Sequence, residues 1–198
     1  MSSVYKILAR MITARLRLFL PDLIHSSQTG FVHDRGILDN VITFYEAVEW
    51  ARQTDQPTAI MLLDFEKAYD RVDWGFLEGT LHRMGFPNAW IRGISALYRS
   101  AFAAVTIGGH VGRTFTLSRS VRQRCPLAPY LFLFFAGTMA LYLRGRTPQI
   151  QGLHMPIDGS PDLVVQEYVD DTMIFCQYDS DTLDRLQSTL FSAVPLVP

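Results

Sequence analysis

Two cysteines in 198 residues, Cys125 and Cys176, are too few for a disulfide framework or a zinc centre. They fit a reducing compartment and read as small buried side chains without a disulfide partner. No apolar run approaches the ~18 residues of a membrane span, so no membrane partner is expected. Arg10, Arg15 and Arg17 interrupt the N-terminal apolar stretch, which rules out a secretory signal. There is no internal repeat, no low-complexity tract and no obvious linker. Net charge is −1, so no bulk excess points to a polyanionic partner. What the chain does have is apolar mass: 48% hydrophobic residues, enough for one core of ordinary size, with room for a small lobe.

Charge is distributed unevenly. Residues 1–35 hold Lys6, Arg10, Arg15, Arg17 and Arg35 against Asp22 and Asp34. Residues 113–146 hold Arg113, Arg119, Arg122, Arg124, Arg144 and Arg146 and no acid, whereas in residues 147–198 Arg185 stands alone among acids. Basic and acidic blocks in one chain suit a surface where phosphates meet carboxylate-bound metal, although folding can also remix such blocks into ordinary surface charge.

Hydrophobic periodicity predicts a helix from Val4 to Leu20, with Val4, Leu8, Met11, Ile12 and Phe19 on one face and Lys6, Arg10 and Arg17 opposite. Arg15 falls inside that apolar stripe, and Pro21 is expected to end the helix. Residues 22–36 read as irregular and Ile37–Arg52 as a second helix. Ala59–Leu63 reads as a buried strand delivering Asp64 at its end. Asp73 caps a helix over Trp74–Met84, and Asn88–Tyr98 forms the next. Ala103–Ile107, Gly108-Gly109 and Arg113–Leu117 read as a hairpin. Pro126 and Pro129 open an apolar helix through about Leu143. Val164–Tyr168 and Met173–Gln177 are strands joined by a tight turn at Val169-Asp170-Asp171, and Thr182–Val194 is a last helix. The expected class is α+β with an antiparallel sheet.

Two acidic sites stand out: Asp64 in Leu63-Asp64-Phe65-Glu66-Lys67-Ala68-Tyr69-Asp70, and the pair in Tyr168-Val169-Asp170-Asp171. Adjacent aspartates between apolar strands repel and raise a pKa. A bound divalent cation turns that repulsion into attraction. If strand 59–63 lies beside the 164–177 hairpin, Asp64 and Asp170 converge. Hard oxygen ligands then suit Mg²⁺, and a pair of such ions would assist an in-line displacement. Either site alone reads more readily as an ordinary turn or strand-end aspartate, and only the two together point to a metal site.

In order along the chain, several blocks resemble the reverse transcriptases of LINE-type (non-LTR) retrotransposons. They are Val4-Tyr5-Lys6-Ile7-Leu8-Ala9; Ser27-Gln28-Thr29-Gly30-Phe31-Val32 with Arg35; the motif A-like Asp64–Val72; Met84-Gly85-Phe86-Pro87; the motif B-like Val121-Arg122-Gln123 with Cys125-Pro126-Leu127-Ala128-Pro129; and the motif C-like Tyr168-Val169-Asp170-Asp171-Thr172. The resemblance implies a right-handed palm: an antiparallel palm sheet with packed helices and partial fingers but no thumb, divided as 1–58 (fingers) and 59–198 (palm). It implies RNA-directed DNA polymerase chemistry with RNA template, DNA primer and dNTP as partners and two Mg²⁺ ions, or Mn²⁺, as cofactor. Asp64, Asp170 and Asp171 would be the catalytic carboxylates and, with the Phe65 carbonyl, the metal ligands. Tyr69 would lie under the incoming sugar, and Arg122 and Gln123 would face the nucleotide. Lys6, Arg10, Arg17 and Arg35 are candidate nucleic-acid contacts, with a solvated helix face as the alternative for the first three. The family implies a nuclear place of work; the oligomeric state is left open.

The chain also departs from the family pattern. Where motif B carries glycine there is Arg124, and Ser120 also replaces a common glycine, so a side chain is expected to intrude on the substrate or turn to solvent. Upstream finger strands, downstream motif D and thumb, and an endonuclease domain are expected to be missing, as in a truncated element. The rival reading is a catalytically inactive nucleic-acid-binding remnant. A nucleotidyl cyclase-like palm enzyme would place carboxylates similarly but lacks the motif B-like block.

Overall fold

The computed structural model describes residues 3–99, 101–145, 150–155 and 162–193. Along the chain run α1 (Ser3–Leu16), α2 (Leu20–Leu23), α3 (Ile37–Gln53), β1 (Thr58–Leu63), a 3₁₀ turn at Ala68–Arg71, α4 (Trp74–Arg83), α5 (Asn88–Tyr98), β2 (Phe102–Ile107), β3 (His110–Thr116), α6 (Ala128–Arg144), β4 (Val165–Tyr168), β5 (Asp171–Gln177) and α7 (Ser180–Ala193). The expected end of the last helix at Val194, and the Pro195 stop, lie outside the described residues.

β1, β5 and β4 form an antiparallel sheet in that order, with β5 in the middle. Alternation along β5 serves two cores, because successive side chains point to opposite faces. Ile174 and Cys176 pack with Val165, Met139, Ala140, Leu143 and Leu186, on the face covered by α6 and α7. Phe175 packs with Ala47 of α3 and Leu153 on the other face. A third and larger core gathers Leu131–Ala136 of α6 with residues of α1, α4 and α5. α6 is apolar all round and accordingly buried along most of its length, which is where such a helix is stable in water. Among the described residues no helix is long and apolar enough to cross a membrane.

Local chemistry sets most element ends as expected. Asp73 accepts the Phe76 N–H at 2.7 Å and caps α4. Asp39 accepts the Gly36 N–H at 2.7 Å at the start of α3. The hairpin forms with Gly108 and Gly109 both at positive φ (57° and 84°), as a tight turn between twisted strands demands.

The N-terminal helix differs from expectation. α1 stops at Leu16, and Pro21 lies in the first turn of the separate α2, where its missing N–H does no harm. Its buried residues are Ala9, Thr13 and Leu16, with Tyr5 and Ile12 packed alongside. Val4, Leu8, Met11 and Phe19, predicted to face the core, are exposed. The inward face is thus turned relative to the predicted stripe, and Arg15 reaches solvent instead of intruding on the core. Residues 1–58, read as partial fingers, share the same cores as the rest: Ala9, Leu16 and Leu20 pack with α6, and Ala47 with β5.

Candidate active site

The register of β1 against β5 builds the site. Leu63 pairs with Thr172, so Asp64 leaves β1 at the sheet end where Asp171 enters β5. Tyr168 pairs with Asp171 across a connection of Val169 and Asp170. Asp64 and Asp171 border one groove of about 480 Å³, with Tyr168, Thr172, Leu62 and α3 side chains. Burial, then the charges of Asp170 and Asp64, push the Asp171 carboxyl above the usual carboxylate range.

Asp64 and Asp171 are exposed and Asp170 is half-buried. Among the described residues no three His, Cys, Asp or Glu side chains close into a metal cage. Carboxylate oxygens are hard donors of the kind that hold a divalent cation together with waters, and such an ion would relieve the charge repulsion that adds to burial at Asp171. The Phe65 carbonyl accepts the Ala68 N–H at 3.2 Å, which leaves a second lone pair for a ligand.

Tyr69 stacks on Phe132, ring centroids 4.8 Å apart and nearly parallel. Burial and the Asp170 charge raise its phenol to about 12, so it stays neutral at physiological pH. Its ring is not in the lining of the Asp64–Asp171 groove. The 3₁₀ turn carrying Tyr69 is braced from the motif B-like segment: Val121 N–H donates to the Tyr69 carbonyl at 2.8 Å, and Ser120 N–H to the Val72 carbonyl at 2.9 Å. The Trp74 indole N–H donates to the Ser120 carbonyl at 2.8 Å.

Lys6, Arg122 and Gln123 border a second, open groove together with Asp70, Ser120 and Arg124. Arg122 lies over the Tyr5 ring at 4.9 Å. Arg124 is exposed at φ 63° and Ser120 sits at φ 106°, so both departures from the family glycine fall on left-handed backbone. Arg10 and Arg17 are exposed and are not in the lining of that groove. Arg35 is engaged otherwise: its guanidinium donates to the carbonyls of Ile24, His25, Gln28 and Pro21 at 2.7–3.2 Å, tying the 21–28 loop together.

The structure adds two residues to which the sequence reading gave no role. Gln28, in the Ser27–Val32 block, is buried against the Val169 turn. Glu167 is buried with neither carboxylate oxygen hydrogen-bonded; burial raises it to about 7 against the opposing pull of Arg144. A glutamate beside Tyr168-Val169-Asp170-Asp171 carries no sequence signal that separates it from a surface acid.

A family model described as reverse transcriptase (RNA-dependent DNA polymerase) matches residues 1–194. The chain belongs to the reverse transcriptase family. A Xenopus laevis relative, the transposon TX1 uncharacterized 149 kDa protein, is 34% identical over 189 residues, covering 94% of this chain and 14% of the relative. The Pol polyprotein of the type-1 retrotransposable element R2 of Popillia japonica is 25% identical over 92% of the chain and 24% of its own length. These transposon relatives bear out the LINE-type resemblance, and the chain spans less than a quarter of either. Among solved structures, apo telomerase from Candida tropicalis superposes with a TM-score of 0.62 at 14% identity, covering 97% of this chain and 34% of that one. Telomerase from the same species in complex with a telomeric RNA fragment gives 0.59 at 15% identity, covering 93% and 30%. At such identity the likeness speaks to fold, and the right-handed palm expected from the sequence is the fold of this reverse transcriptase chain.

Proposed function

We propose that this chain carries the nucleotide-addition site of an RNA-directed DNA polymerase, joining dNTPs to a DNA primer on an RNA template. One observation carries the reading: the β1–β5 register brings Asp64 and Asp171 to one sheet end, with Asp170 in the adjoining turn. Two Mg²⁺ ions, or Mn²⁺, held by Asp64, Asp170, Asp171 and the Phe65 carbonyl would acidify a primer 3′-hydroxyl and stabilise departing pyrophosphate. Tyr69, kept neutral and stacked on Phe132, is assigned to the sugar of the incoming nucleotide. Arg122 and Gln123 are assigned to that nucleotide, and Lys6, with Arg10 and Arg17 further along α1, to backbone phosphates, which are read without regard to sequence. Arg35 serves these contacts by ordering the 21–28 loop. On this reading residues 1–58 serve as the partial fingers and residues 59–198 as the palm.

The test is primer extension on poly(rA)/oligo(dT) with Mg²⁺, run beside a gel shift. Asp64→Asn abolishes extension and leaves binding and fold intact. A second reading, a nucleic-acid-binding chain without catalysis, draws support from Arg124, whose long cation lines the groove assigned to the nucleotide. Binding without extension in both the native chain and Arg124→Gly would establish that second reading.

A further inference from the structure

We infer that Gln28 is a positioning residue that fixes the turn carrying Asp170 and Asp171, an assignment that rests on the metal-site reading above. Val169 adopts φ 60°. With positive φ at its first central residue, the connection has the φ pattern of a hairpin turn that normally takes glycine there. A β-branched residue in this region is strained and persists only where its surroundings impose it.

One side chain imposes it. The Gln28 carboxamide donates from Nε2 to the Val169 carbonyl at 3.2 Å and accepts the Val169 N–H on Oε1 at 2.9 Å. It thereby grips both polar groups flanking the Val169 Cα, which sets φ and ψ together. Oε1 also accepts the Gly30 N–H at 2.9 Å, so the carboxamide is itself oriented. Gln28 is 1% exposed, so these hydrogen bonds are shielded from solvent.

The backbone behind the carboxamide is anchored to β4. Glu167 N–H donates to the Ser27 carbonyl at 2.8 Å, and Thr29 N–H to the Glu167 carbonyl at 3.0 Å, making a parallel bridge of Gln28 with Glu167. Asn40 of α3 donates to the same Glu167 carbonyl at 3.0 Å and accepts the Thr29 hydroxyl at 2.9 Å. Gly30 permits the approach: a Cβ there would meet Val169 Cγ2 at 2.5 Å and the Val169 nitrogen at 2.8 Å. The position demands glutamine specifically. Asparagine is one methylene short, and glutamate sets an oxygen against the Val169 carbonyl where a donor is required.

The ¹⁵N-labelled chain titrated with Mn²⁺ tests this by paramagnetic broadening of amide signals, independently of polymerisation. In the native chain the amides of Asp64, Asp170 and Asp171 broaden together, and Asp64→Asn raises the Mn²⁺ needed at least tenfold. Gln28→Met, similar in volume but without the hydrogen bonds, raises the Mn²⁺ needed at Asp170 and Asp171 at least fivefold. Gln28→Glu, which keeps the acceptor and loses the donor, does so to a lesser degree and carries the test if the methionine variant does not fold. Ile94→Ala, a core truncation in α5, leaves the requirement unchanged and separates positioning from general loosening. A folded Gln28 variant with the native Mn²⁺ requirement, or an equal rise in Ile94→Ala, overturns the assignment while the metal site stands. Absence of Asp64-dependent broadening in the native chain overturns the metal-site reading itself, and the assignment with it.

Discussion

Arg124 and Ser120 hold backbone that glycine would occupy without strain, at φ 63° and 106°. For an L-residue this conformation costs about 1–2 kcal/mol, while glycine's extra freedom in the unfolded chain takes back about 0.5–1 kcal/mol. Arg124→Gly and Ser120→Gly are therefore each expected to raise stability by up to about 1 kcal/mol in urea denaturation. Glu167 makes a prediction of another kind. Its folded-state pKa of about 7 lies above the ordinary carboxylate value, so the folded chain binds a proton that the unfolded chain releases. Stability falls as pH rises through the window from about 4.5 to about 7 and is level above it. Glu167→Gln removes that slope. It is expected to be more stable than the native chain at pH 8, by on the order of 3 kcal/mol at most, with the difference gone by pH 4, as thermal melts across pH will show.

Among the elements, those bounded by punctuation were legible in the sequence. Asp73 before Trp74, Gly85 and Pro87 after Arg83, and the Gly108-Gly109 pair mark ends through local chemistry, and the structure places those ends within a residue or two, except that β3 begins at His110, three residues before the expected Arg113. The inward face of α1 was not legible. Two stripes lie side by side on that helix, Val4/Leu8/Met11 and Tyr5/Ala9/Ile12/Leu16, and the choice between them depends on α6, more than a hundred residues away. The site divides in the same way. Asp64, Asp170 and Asp171 announce themselves as carboxylates at strand ends, whereas Gln28 meets its partner Val169, 141 residues further along the chain, only when the 27–30 segment docks on β4. Arg35 was read as reaching outward because nothing local to it reveals the carbonyls of the 21–28 loop. The docking is tight enough to be tested at Gly30. Gly30→Ala forces Val169 to shift and is expected to lower stability by about 1–3 kcal/mol in thermal denaturation, although φ at Gly30 would itself admit alanine.

At the scale of the whole molecule, α6 joins two of the three cores, so the central sheet and the helical part are welded along one buried rod. Apolar side chains nonetheless stand exposed on α1 at Val4, Ile7 and Met11 and on α3 at Leu38, Ile42 and Tyr45. The two free thiols sit in different parts of this frame. Cys125 is 3% exposed, in the turn between strained Arg124 and Pro126, and Cys176 is 1% exposed in the middle strand of the sheet. Each can meet a solution reagent only when its own neighbourhood opens, so the molecule carries a pair of internal clocks for its breathing motions. With a chromogenic disulfide under native conditions, modification should run in two phases, Cys125 ahead of Cys176. A single shared rate would mean that loop and sheet come apart as one unit.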